Sequence, residues 1–468
     1  MARNISVTLT PGHLDAVRVV GEATQILDPL GSGMRREIQF ILDPQGERET
    51  VLTLEAVYDD DEGERHRAPF AARIRFGMLE KYVPIPASPY IAGKPVKTAE
   101  MFYGRREALD WITDNLASAY QQNVLVIYGE RRIGKTSILY RLESTPPTPH
   151  HICILFNLEL AAPRSVSKFL YDMAYEIHRG LRKRNITIPK PTLQEYEQDA
   201  ENRFRQFCEE LEAFIGDQII VLMVDEFGIL LEKVHKDELP QDTLNYVRGI
   251  IQAVKNLTFI FVGAHLVRKE LQDQNSILFN MAKVLKLGYL APNEAEQLIR
   301  KPVAEYLTYA DPVVKKLLAT TACHPYFIQY ICDELLRLAQ RQKKNYIGPA
   351  DLEMILRKTI EDTSGNIRNS IWIYLSKDEQ RALAALAEVT TEQIIYVLPD
   401  RLLEVLTKHE LPVPKLALLD ALRELCERDL VMETRIGQRL AYGFKMGLIR
   451  LWLCENEMLI RLKEEGSA

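Results

Sequence analysis

Ten residues, YGERRIGKTS from Tyr128 to Ser137, constrain this chain more than any other stretch. They hold Gly129, four intervening positions, then Gly134, Lys135 and Thr136, and they follow the apolar run VLVI. Such spacing between a strand and a helix makes a phosphate cradle. The glycines permit backbone angles that turn successive N–H groups inward, and the helix N-terminus adds partial positive charge. The run KTSILYRLE supplies the helix. Glycine-containing loops that bind nothing share the spacing, so the flanking strand and helix carry the argument. Lys135 is predicted to reach the β- and γ-phosphates of a nucleotide, and the Thr136 hydroxyl to ligate Mg2+. Gly129, Arg131, Arg132, Gly134 and Ser137 complete the loop's candidate binding set. Spacing alone does not decide whether the two arginines meet phosphate, linker or another segment.

A loop of this kind needs a carboxylate at the end of a second strand. IIVLMVDEFG provides Asp225 and Glu226, ninety residues after Lys135. Asp225 is expected to hold Mg2+ through water, and Glu226 to polarise the attacking water. An acidic pair at a strand end is also a common solvated turn, and only the loop upstream favours the catalytic reading. Lys135, Asp225 and Glu226 are therefore the catalytic candidates, and Thr136 and Asp225 the metal candidates, with ATP or ADP and Mg2+ as the expected cofactors.

Around this centre the chain divides into zones. Residues 1–77 hold alternating segments (ISVTLT, REIQFIL, TVLTLEAVY, AARIRF) separated by turn-rich DPLGSG, DPQGE and DDDEGE, which predicts an Ig-like β-sandwich. Residues 78–100, with KYVPIPASPYIAGKPVKT, have the proline spacing of an extended linker lying over the next domain. Residues 101–287 alternate continuous apolar runs (NVLVIY, HICILFNLE, QIIVLMVD, LTFIFVGAH) with helical stretches, the signature of a parallel sheet covered on both faces. Residues 288–372 read as helical. Residues 373–468 pair helices such as LALLDALRELCERDL with the hairpin VMETRIGQRLAYGFKM, which predicts a winged helix. The predicted fold is thus multidomain α/β.

Four stretches together, MFYGRREALDWI, GERRIGKTSIL, VLMVDEFG and TACHPYFIQYICDEL, resemble the STAND branch of AAA+-related P-loop ATPases, close to its bacterial and archaeal ATPase group. The resemblance runs from about Ser88 to Trp452. It implies an ASCE-type nucleotide domain, a helical lid over 288–372 and a winged helix packed on an ADP-bound core. It places Tyr103, Gly104 and Arg105 at a base-side wall, and His324 and Pro325 at the lid's nucleotide contact. In this chain Cys323 stands where that lid element usually has glycine. A polar sensor belongs at the end of FIFVGAH, where His265 is as readily a turn residue, and Arg268 reads better as a solvated helix residue than as a charge for the transition state.

Composition excludes other classes. A net charge of −6 offers no global attraction to nucleic acid. From Ser376 onward thirteen Lys and Arg face sixteen Asp and Glu, so the winged-helix zone lacks the clustered positive charge that phosphate backbones demand. The basic run HRGLRKRN, 178–185, ends a helix and reads as a dipole-complementing terminus. Six scattered cysteines without metal spacing predict reduced thiols and a cytoplasmic location. No apolar signal core and no run of about 18 apolar residues occurs, so neither export nor a membrane is expected.

Two functions fit these observations. The first is an ATP-hydrolysing switch whose ADP or ATP state controls opening, association with a separately encoded protein partner or effector, and self-association into a homo-oligomer. The second is a DNA-binding AAA+ ATPase of the origin-recognition kind, which shares the order ATPase, lid, winged helix. The acidic winged helix argues for the first and makes nucleic acid an unexpected partner. A scaffold that binds nucleotide without turnover is disfavoured by the intact Lys135, Asp225 and Glu226.

Overall fold

A computed structural model describes the chain apart from residues 1, 13–16, 32–33, 35, 37, 39, 45–48, 76–81, 118–123, 162, 265–266, 268–269, 271–281, 363–366, 370, 392–393 and 468. His265 and Arg268 lie outside the described residues. The chain forms two compact units, one of residues 1–88, 303–317 and 334–359, the other of residues 89–302, 318–333 and 360–468.

The first unit begins with β1 (Arg3–Pro11), β2 (Val17–Val20), β3 (Thr24–Leu27), β4 (Ile41–Pro44), β5 (Glu49–Asp59) and β6 (Arg65–Arg75). Among the described residues they form an antiparallel sheet of order β3-β1-β5-β6 and a β2-β4 ribbon. Alternation decides the faces: Ile5, Val7 and Leu9 of β1 are buried, and their intervening neighbours are not. REIQFIL contributes only its end, since β4 starts at Ile41. The four-residue β2 and β3 were too short to declare a period. The unit also pairs β12 (Thr308–Tyr309) with β13 (Tyr346–Ile347) in parallel, inside a zone expected to be purely helical. Asn345 anchors the extended segment after β6. Its Nδ2 donates to the Val83 carbonyl at 2.8 Å, and its Oδ1 accepts from the Val83 N–H at 2.8 Å.

In the second unit β7 (Leu125–Tyr128), β8 (His151–Asn157), β9 (Ile219–Asp225), β10 (Leu257–Gly263) and β11 (Lys283–Lys286) make a parallel sheet of order β11-β7-β10-β9-β8. All but β11 were visible as apolar runs. β11, with Lys283 and Lys286 at its ends and Val284 exposed, carries no such run because it is an edge strand with little to bury. The strands alternate between two cores. Val126, Ile154, Leu222 and Phe261 face the helices Val166–Arg182 and Ala200–Ile215. Leu125, Cys153, Met223 and Ile260 face Arg106–Leu116 and Lys135–Ser144. Burial on both faces explains the continuous apolar runs. Gly180 lets its helix approach the sheet, because a Cβ there would lie 2.8 Å from Ile154.

The same unit ends in helices Lys377–Val389, Pro399–Lys408 and Lys415–Glu427, the hairpin β14 (Val431–Ile436) and β15 (Arg439–Phe444), and helices Gly447–Glu455 and Met458–Ser467. Gly437, at φ 62°, opens the two-residue hairpin loop. Val397, between the first two helices, bridges Tyr442 of β15. Ser376 and Glu379 form a reciprocal capping box that starts the first helix. Glu379 also meets Arg428 at 2.9 Å, each side chain only 6 % exposed, so the third helix is tied to the first by a buried ion pair. All six cysteines are free thiols, four of them buried. Among the described residues no helix is long and apolar enough to cross a membrane.

Candidate nucleotide site

A cavity of about 670 Å³ opens in the second unit where β7 and β9 end. Gly134 caps the helix Lys135–Ser144 at φ 102°, a conformation open to glycine and strained for other residues. Gly129 has a different task. A Cβ there would lie 2.4 Å from the Leu287 carbonyl, so glycine lets the chain leaving β11 pass behind the loop, and Gly129 does not border the cavity.

Lys135 is 6 % exposed, and its Nζ donates to the carbonyls of Gly129 at 3.0 Å and Glu130 at 2.9 Å. Burial pushes its pKa down, while Glu226, Glu130 and Asp225 oppose that shift. Thr136 Oγ1 donates to Asp225 Oδ2 at 2.8 Å. Asp225 is 1 % exposed, its pKa is raised chiefly by burial, and its Oδ1 is buried without a hydrogen-bond partner among the described residues. A buried carboxylate oxygen beside a threonine hydroxyl is a donor set that fits Mg2+. Thr136 and Asp225 would hold the ion, which when bound neutralises phosphate charge. Glu226 borders the cavity with its backbone at φ 54°, an uncommon angle for a side-chain-bearing residue, and turns the chain from β9 into the helix Gly228–His235. Lys135, Thr136, Asp225 and Glu226 all line the cavity, a set that could supply a cation for phosphate, a metal pair and a carboxylate base.

The remaining predicted residues separate. Tyr103, Arg105, Arg131, Arg132, Ser137 and Pro325 line the cavity, and Gly104 and His324 do not. Gly104, at φ 72°, abuts Glu294, which a Cβ would strike at 2.4 Å. Arg105 is a clamp. Its guanidinium donates to the carbonyls of Gly288 and Ile133, both at 2.7 Å, and burial lowers its pKa to about 10. His324, expected at a nucleotide contact, is not among the residues that line the cavity. Its imidazole is 4 % exposed, packed against Tyr289 at 5.3 Å and Phe327 at 5.0 Å, and accepts the Tyr326 N–H. Burial, then the charge of Arg105, lowers its pKa to about 3, so it is a neutral core group. Cys323, in place of the usual glycine, keeps the left-handed angle at φ 62°. The arginine doublet meets aromatic rings. Arg131 lies 4.3 Å over Tyr374, and Arg132 lies 4.4 Å over Tyr326. The Ser137 hydroxyl accepts the Val96 N–H at 3.0 Å.

That last bond exposes what sequence reasoning missed. Residues 91–96 of the proline-containing linker form part of the cavity wall, fixed at one end by Val96 on Ser137 and at the other by the Ile91 N–H on Gln329 Oε1 at 3.0 Å. Asn157, in register with Asp225 across β8 and β9, also borders the cavity. Neither announces itself by motif. A strap identified only as extended has no periodicity from which to read a face.

A phosphate loop after β7 of a β11-β7-β10-β9-β8 parallel sheet, with an Asp–Glu pair at the end of β9 on the same cavity, is the arrangement of a P-loop nucleotide-binding fold. Residues 102–329 match the family described as an ATPase domain predominantly from Archaea, and the chain is an ATPase. The Walker-type ATPase PABY2304 of Pyrococcus abyssi is similar in fold, with 17% identity and a TM-score of 0.56 over 77% of this chain and 99% of that one. The Aeropyrum pernix ORC2 protein, solved in ADPNP–ADP complexes, is similar at 14% identity and a TM-score of 0.51 over 83% of this chain and 97% of that one. No curated protein sequence matches the chain.

Proposed function

We propose that the protein is a nucleotide-operated switch of the STAND kind, in which residues 101–287 are the ATPase core, 288–372 the lid and 373–468 a winged-helix segment held to the core, with the strands of residues 1–77 an Ig-like sandwich that binds a protein. The observation that carries this reading is the seat of Arg131. A residue inside the phosphate loop rests on Tyr374, two residues before the capping box of the C-terminal segment. Further contacts on the same segment support it. Tyr289 Oη donates to the Asp429 carbonyl at 2.8 Å, and Lys286 Nζ meets the Asp429 carboxylate at 3.1 Å and the Glu427 carbonyl at 2.9 Å. Exposed cation–aromatic pairs contribute roughly 0.5–1 kcal/mol, little enough for a phosphate to outbid as a partner for the guanidinium. A nucleotide that draws Arg131 away would weaken one arrangement and not the other, which is what a switch requires.

In this reading turnover is slow and resets the switch, and opening exposes surface for a separately encoded effector or a second copy. Glu226→Gln in Mg-ATP is expected to form a larger species than the same variant in ADP, measured as mass by light scattering. Equal mass, with equal protease sensitivity near Leu287 and Ser376 in both nucleotides, would leave an ATPase without a switch.

A second reading, a DNA-binding ATPase of the origin-recognition type, is favoured by the fold likeness to the ORC2 protein and by Arg435 and Arg439 near the hairpin tip. Charge pairing supports the first. Lys415 is bonded to Asp400, Arg423 to Asp420, and Arg428 is buried. The full chain is expected to show no duplex binding that falls steeply with salt; sub-micromolar, salt-sensitive binding would select the second reading.

A further inference from the structure

The strap is held to the cavity wall at two points. Val96 is fixed beside the phosphate loop and Ile91 beside Gln329, so the two points are five residue steps apart, a span of up to roughly 17 Å. Beside Gln329 the lining includes Ile91, Leu290, Leu298, Pro325 and Tyr326, the last seated under Arg132 of the phosphate loop. Gln329 is 6 % exposed. Its Oε1 accepts the Ile91 N–H, and that bond assigns the amide's orientation. The Nε2 donors then have no partner among the described residues, and Oε1 retains a second lone pair.

We infer that Gln329 is the residue that selects adenine: Nε2 donates to a ring nitrogen of the base, and the free lone pair of Oε1 accepts from the 6-amino group. The inference rests on the ATPase reading of this cavity. An unrestrained glutamine can rotate its amide and satisfy either arrangement of donor and acceptor. Here the Ile91 N–H holds oxygen on one side, so the amide reads one order only. Adenine presents a donor at position 6 beside an acceptor at position 1. Hypoxanthine and guanine present the reverse, a carbonyl oxygen beside an N–H. With the phosphates anchored at Lys135 and the ring held in an apolar slot, the base cannot slide to compensate. Sequence gave no hint of this, since Gln329 lies in an ordinary helical stretch, IQYICDEL.

The test is equilibrium binding of ADP, IDP and GDP to the full chain with Mg2+. The wild-type protein is expected to prefer ADP over IDP and GDP by roughly 10- to 100-fold. Gln329→Glu keeps an acceptor for the Ile91 N–H but replaces the donor by a second acceptor, so ADP should weaken and the ADP-to-IDP ratio should fall below that of Gln329→Leu. Loss of packing alone would weaken all three nucleotides together and leave the ratio unchanged. Equal binding of ADP and IDP by the wild-type protein overturns the inference without any variant, as does an unchanged ratio in both variants. Wild-type protein that binds none of the three overturns the ATPase reading with it, whereas Lys135→Ala should lower all three alike.

Discussion

Lys135→Ala is expected to lower affinity for ATP and ADP by about 100-fold or more and to leave no measurable turnover. The ammonium is the cation buried at the phosphate end of the cavity, and its hydrogen bonds go to two carbonyls of its own loop, Gly129 and Glu130. Those partners are neutral, so phosphate oxygens, which carry charge, replace them with a net gain. Removing this buried group deletes an interaction of the kind that costs about 100- to 1000-fold when a single preorganised donor is lost. Calorimetric titration checks the affinity, and thermal melting checks that the variant folds. Affinity within threefold of the wild type would remove Lys135 from nucleotide binding.

Glu226→Gln is expected to separate binding from chemistry. The substitution keeps volume and hydrogen-bonding shape at a residue that borders the cavity beside Asp225. It removes the proton acceptor, a role contributing about 100- to 10,000-fold. Turnover should fall within that range while ADP affinity stays within a few-fold, since only the transition state uses the carboxylate as a base. Asp225→Asn is the contrast. It leaves Thr136 Oγ1 a hydrogen-bond partner yet removes charge from the metal pair, so its deficit should grow as Mg2+ is lowered. A Glu226→Gln enzyme with wild-type turnover would assign proton transfer to another group.

What was legible in the sequence follows from what burial does to residue choice. β7 to β10 lie buried on both faces and therefore show as unbroken apolar runs, which also located Asp225 at the end of one of them. The phosphate loop was legible because cradle geometry restricts its residue types. β11 was not, because an edge strand with two lysines buries little. The surroundings of His324 were not legible for a related reason. A histidine before a proline looks the same in sequence whether it faces a ligand or packs on Tyr289 and Phe327, and only the surrounding rings decide. Arg131 and Arg132 could be counted as loop residues but not aimed, since Tyr374 and Tyr326 come from chain more than 190 residues away.

β11 is the last strand of the sheet in chain order, and the chain continues from it through Tyr289 past the rear of the phosphate loop to contacts with the C-terminal segment. Its Leu287 N–H bonds the Tyr128 carbonyl at 2.7 Å, its Leu287 carbonyl sits against Gly129, and Lys286 and Tyr289 both reach Asp429. Because strand side chains alternate, inserting or deleting one residue here would turn Lys286 to the opposite face and carry Tyr289 off Asp429. This stretch is therefore a poor seam for recombination. A chimera joined before Lys283 would set a foreign strand against Gly129, whereas one joined between residues 287 and 288 would keep strand and loop from one parent but divide Lys286 from Asp429.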